Sequence, residues 1–162
     1  MAAPTVTALG VPAANKLRDG FSTRVTFSVD PTIEMYIKSV QPPAVDGGDM
    51  IDSTNMHNTY WRTGSPRSLA TLTQATAKVA WNPVSYQSVI NSVLNKTGSV
   101  TYRFPDGSTL AVWAYLQKFE PSELTEGTEP EATITINHTN WDPNNHVEAG
   151  PAFTAGGGTG LD

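Results

Sequence analysis

Apolar and polar residues alternate along much of this chain with the two-residue period of half-buried β-strands. In FSTRVTFSV, Val25, Phe27 and Val29 alternate with Arg24, Thr26 and Ser28. After the turn signal Asp30-Pro31, IEMYIKSV sets Ile33, Met35 and Ile37 against Glu34, Tyr36 and Lys38. These two runs predict an antiparallel hairpin. Further on, Ala75, Ala77, Val79 and Trp81 face one way, with Gln74, Thr76 and Lys78 opposite. Asn82 then fits a helix cap and Pro83 a first helical position, where a missing N–H costs nothing. Tyr86, Val89, Ile90, Val93 and Leu94 follow at helical spacing, and Gly98 suits a C-terminal stop. A helix over 83–96, packed on the sheet, is predicted.

GSVTYRF aligns Val100, Tyr102 and Phe104, and Pro105-Asp106-Gly107-Ser108 reads as a tight turn. TLAVWAYLQKF is apolar on both faces, with Leu110, Val112 and Leu116 on one and Trp113 and Tyr115 on the other, so it is expected to be covered twice. A Glu-rich polar loop precedes EATITINHT, whose Ala132, Ile134 and Ile136 point inward. The order is β-β-(long loop)-β-α-β-β-β, in which few connections suit a parallel crossover. The pattern predicts a mainly β fold: an antiparallel β-sandwich or partly closed barrel with one packed α-helix, a long loop and terminal arms. The expected organisation is an N-terminal arm over 1–19, a β-domain over 20–140 with an inserted loop at 42–69, and a C-terminal arm or flexible tail over 141–162.

The inserted stretch PPAVDGGDMIDSTNMHNTYWRTGSPRSL is far longer than the roughly 4–6 residues of ordinary connections. It carries Met50, Ile51, Met56, Tyr60, Trp61 and Leu69, too many large apolar groups for a segment left in water. Either a neighbouring subunit covers them, or the stretch is an Ω-loop folded onto its own body.

Composition narrows the function classes. Charged residues make up only 15% of the 162, and the net charge is −5 with the ten Lys and Arg scattered singly. A static nucleic-acid-binding stripe is therefore not expected. There is no cysteine, which removes disulfides, thiolate metal sites and a Cys nucleophile together. The N-terminus does not resemble a secretory signal and no apolar run reaches membrane-spanning length, so a soluble, cytoplasmically made protein is expected.

Candidate chemistry is thin. His138, Asp142 and His146 match no compact zinc spacing. Asp46, Asp49 and Asp52 lack the closing Glu of a calcium loop. Gly156-Gly157-Gly158-Thr159-Gly160 lacks the Lys and following helix of a phosphate loop, and no Gly-x-Ser-x-Gly elbow exists. Glu123, Glu126, Glu129 and Glu131 read as charges on an exposed turn. No catalytic, cofactor or metal residue is assigned. Tyr60, Trp61 and Trp141 suit a partner protein or a sugar surface.

The order of GGDMIDSTNM, AKVAWNP with its helix, FPDGSTLAVWAYLQKFEPSEL and EPEATITIN, over about residues 20–138, resembles the major tail tube proteins of long-tailed (siphovirus-like) bacteriophages. That family is related to tube proteins of contractile tails and secretion systems. The resemblance implies a structural virion protein, assembled in the host cytoplasm. It implies six-membered rings whose sheets join around a lumen and which stack into a tube. Its partners would be further copies of itself, a tape-measure protein, tail-end proteins and double-stranded DNA in transit, without membrane binding. An acidic, weakly charged chain fits a lumen that lets phosphate slide past. Ring-to-ring contact is expected on 46–69, with Tyr60 and Trp61 as anchors beside Asp49, Ile51, Met56, His57, Arg62 and Arg67. Residues 1–19 and 142–162 match no motif of the family. The alternative from the residues alone is a monomeric β-sandwich recognition module, carbohydrate-binding or adhesin-like, using Tyr60, Trp61 and Trp141.

Overall fold

The computed structural model describes residues 23–31 and 36–156. The N-terminal arm, Ile33 and Met35 of the second alternating run, and Gly157 to Asp162 of the expected tail lie outside the described residues.

The described residues are mainly β and antiparallel, with one helix. Its principal strands are β1 (Arg24–Phe27), β2 (Ile37–Gln41), β7 (Ala75–Ala80), β8 (Gly98–Arg103), β9 (Thr109–Pro121) and β10 (Glu131–His138). They form one sheet in the order β1-β8-β9-β10-β7-β2, and β13 (Ala152–Thr154) joins it along β9. The sheet does not close on itself: among the described residues no strand pairs with the outer edge of β1 or of β2.

Register explains the core. Tyr102 lies across from Val25 and Leu110, and Val100 across from Phe27 and Val112. Ile136 lies across from Leu116 and Ala75, and Ile134 from Phe119 and Ala77. The alternating apolar positions thus line up as rows on one face, the arrangement period-2 patterning demands. A bulge in β9 between the partners of Thr135 and Ile136 lets both Leu116 and Phe119 face inward. Val89 of the helix and Val93 at its C-cap complete this core, fully buried with Ile134, Ile136, Leu116 and Tyr102.

The helix α1 runs Pro83–Ser92, capped by Asn82, whose side chain accepts from the N–H of Val84. It ends short of the expected 96. Leu94 bridges to Leu116, the N–H of Asn95 donates to the Leu116 carbonyl, and Asn95 turns left-handed at φ 57°. The sheet therefore takes over the chain before Gly98, which opens β8 instead of stopping the helix. Of the expected apolar stripe, Val89 and Val93 are buried while Ile90 sits at the exposed margin.

Three other expectations change. β1 and β2 are not a hairpin: β1 pairs with β8 and β2 with β7, at opposite ends of the sheet. A turn signal reverses the chain but does not choose a strand's neighbour. Among the described residues no second layer sheathes the other face of β9, where Trp113 and Tyr115 are half-buried. Tyr115 instead joins a polar network in which Asn137 donates to its hydroxyl and Gln74 and Gln117 complete the contacts. Finally, the segment after Asn140, expected as an arm or tail, folds into a small ladder of β11 (Trp141–Asp142) with β12 (Val147–Glu148) and then returns as β13.

Candidate assembly surface

The long insert is neither a disordered loop nor an Ω-loop on its own body. It is a narrow antiparallel ribbon rising from the neighbouring ends of β2 and β7. At its root β3 (Val45–Asp46) pairs with β6 (Thr71–Leu72), and further out β4 (Ile51–Asp52) pairs with β5 (Gly64–Ser65). Beyond these ladders lies a tip over residues 53–63.

Short polar side chains hold the ribbon in shape. An Asp46 carboxylate oxygen accepts from the N–H of Gly48, which turns at φ +76°, and the Arg67 side chain lies across that glycine with its Nε donating to the Asp49 carbonyl at 2.8 Å. Met50 lies across Gly64 in the same way, so a side chain there would displace the flexible Met50 thioether. At the end of β4, Asp52 accepts from the N–H of Thr54, and in the tip Asn55 accepts from that of His57. Asn58 works in both directions, accepting from the N–H of Asn55 and donating to the Trp61 carbonyl. Thr54 and Thr63 link the two arms through hydroxyl and backbone. These bonds place the Asp52 carboxyl below its ordinary range, because Thr54 favours its charged form.

Within this hydrogen-bonded frame the large side chains stand clear. Tyr60 is 88% exposed and Trp61 83%, and Met56 is fully exposed. All of Asp49, Ile51, Met56, His57, Tyr60, Trp61, Arg62 and Arg67 lie on this one ribbon and all are exposed. Arg67 is turned back along the ribbon by its bond to Asp49. Val45, Met50 and Leu69, in the same insert, are exposed as well. Outside it, Leu124, Val147 and Phe153 are exposed apolar groups that strand patterning did not single out. Only Leu124 carried a readable signal, an apolar residue isolated among glutamates.

The weaker chemical candidates do not converge. His138 is committed to Tyr102 and to the Thr73 carbonyl, while Asp142 accepts from Asn144 and Asn145 within its own turn. Asp46 and Asp52 serve local backbone N–H groups. Among the described residues, no group of three or more His, Asp or Glu is placed to hold a metal ion.

The fold is one seen in subunits of injection devices and phage-like tails. A chain of an extracellular contractile injection system's sheath–tube complex in the extended state is similar over 95% of this chain and 99% of its own, with a TM-score of 0.63 and 15% identity. A chain from the tail of an empty GTA (gene transfer agent) particle with C6 symmetry is similar over 86% of this chain and 100% of its own, at TM-score 0.60 and 9% identity. A chain of the six-fold symmetrised baseplate of the anti-feeding prophage is similar over 97% and 99%, at TM-score 0.55 and 9% identity. No protein-family model matches the sequence, and a search of curated proteins gives no match.

Proposed function

We propose that this chain is a structural subunit of a tail tube. Six copies close a ring, rings stack head to tail, and the finished conduit carries double-stranded DNA in a phage or phage-like particle, assembled around a tape-measure protein and closed by tail-end proteins. The observation that carries this reading is the ribbon. It is rigidified by its own hydrogen bonds, extends from the body, and displays Met56, Tyr60 and Trp61 to solvent. A protein without a partner gains nothing from such exposure, whereas a subunit covered by its neighbours gains interface anchors with little rotamer entropy to lose.

The sheet supports the same reading. Among the described residues its outer edges on β1 and β2 are unpaired and differ, so pairing one to the other between copies is heterologous, and a heterologous contact closes into a ring when the rotation allows. The likeness in fold to chains from contractile and phage-like assemblies agrees with this geometry.

Negative-stain microscopy and sedimentation of the purified full-length chain over a concentration series test the proposal. Six-fold rings and hollow tubes are the expected result. A species that stays monomeric at all concentrations and binds oligosaccharides through Tyr60 and Trp61 overturns it in favour of a recognition module.

A further inference from the structure

We propose that the Trp61–Arg62 corner of the ribbon seats on the β9–β10 loop of a second copy, with Trp61 against Leu124 and Arg62 facing Glu123 and Glu126. The inference rests on the tube reading and names the surface that receives the ribbon.

Topology supplies the first argument. The ribbon rises where Gln41 and Thr76 are paired, at the start of β7. The β9–β10 loop begins after Pro121 and ends at Glu131, which lies across from Ala80 at the end of β7. Ribbon and loop therefore leave the sheet at opposite ends of β7, roughly 17 Å apart along the strand at about 3.4 Å per residue. Stacking one copy on the next in the same orientation brings the ribbon of one towards the loop of the other. The contact repeats without closing, which is what a filament requires.

The chemistry of the two surfaces is complementary. The loop is exposed throughout, and Leu124, 61% exposed, stands between Glu123 and Glu126. The loop is also shaped in advance: Thr128 donates to the Thr125 carbonyl, and Lys38 grips Glu129 at 2.8 Å and Glu131 at 2.9 Å. The remaining ion pair among the described residues is Lys118–Glu120, so Arg62, Glu123 and Glu126 take part in none. An aromatic beside a cation thus meets an aliphatic group beside two anions. Burial of Trp61 supplies the affinity, and the flanking charges set orientation and encounter rate.

Charge reversal tests the contact. R62E is expected to raise the concentration needed for assembly by about tenfold or more, because like charges then face each other. The triple variant R62E/E123R/E126R is expected to bring that concentration back towards wild type. Separately, R62C and E123C combined in this cysteine-free chain should give a ladder of multimers with a short bis-maleimide after assembly. If wild type forms tubes but R62E assembles equally well, or the triple variant is not rescued and no ladder appears, the contact is wrong and the tube reading stands. If wild type forms no assembly at any concentration, both fall.

Discussion

The hydroxyl of Tyr102 lies 3.2 Å from Nε2 of His138, and Nδ1 of the same ring lies 2.8 Å from the carbonyl of Thr73. A carbonyl only accepts, so Nδ1 carries the proton and Nε2 accepts from the buried Tyr102 hydroxyl. Thr73 belongs to the ribbon root, where its N–H donates to the Ala44 carbonyl and its hydroxyl accepts from the Ala44 N–H. One neutral imidazole therefore joins the core to the base of the ribbon. Burial, opposed by the Thr73 bond, holds the His138 pKa below its ordinary value, and burial pushes the Tyr102 phenol upward.

Folding stability should fall as pH drops through the ordinary imidazole range. Below about 6.5 the unfolded chain takes up a proton at His138 that the folded chain resists, so the unfolded state gains. The stability is fully present above that range and is lost on descending towards the depressed folded value. Asp52, Glu131 and Asp142, whose folded pKa values are also lowered, lose their contributions further down, in the carboxylate range. Thermal melts from pH 7.5 to 5 should show the slope, and H138Q should flatten it.

Y102F removes the donor to Nε2 without opening a cavity. The expected cost is about 1 kcal/mol, the net worth of one such hydrogen bond. Denaturant unfolding of Y102F against wild type measures it.

I134A empties a site where Phe119 and Ala77 flank a fully buried side chain. A loss of about 2–5 kcal/mol is expected from transfer and cavity terms together. By contrast, Y60A and W61A should change stability by less than about 0.5 kcal/mol, because both side chains are exposed. Their effect should appear in sedimentation, as lost assembly.

Removing residues 50–66 should leave a soluble, folded body that no longer assembles. Among the described residues the deleted segment pairs its strands only with itself. A deletion product that is unfolded by circular dichroism would refute this separation of ribbon from fold.

N58A should loosen the tip alone. Asn58 ties both the N–H of Asn55 and the carbonyl of Trp61. Faster amide exchange confined to about residues 53–63, with an unchanged melting temperature, is the expected outcome.

Much of this was legible in the sequence, and the failures are instructive. Strand faces were readable because Ala75-Ala77-Val79 and Ala132-Ile134-Ile136 keep a strict period of two. The ribbon's exposed residues were readable because large apolar groups stood in a segment too long and too punctuated to be core. Strand neighbours were not, since β1 pairs with a strand some seventy-five residues away, and only the whole sheet decides which edges remain open. The helix end was misread because Lys96-Thr97-Gly98 imitates a terminus while the real stop comes from Leu116, on another strand. The return of β13 to β9 was hidden because Ala152-Phe153-Thr154 is too short to show a pattern.

The Asn and Thr clamps inside the ribbon have a thermodynamic corollary. Ordering a flexible loop at the moment of docking would subtract from the binding free energy of every newcomer. In the proposed tube that disorder is surrendered earlier, as the ribbon forms its own hydrogen bonds. Growth of a polymer from such units would be limited by diffusion and alignment, and its tips would accept newcomers without waiting for them to change shape.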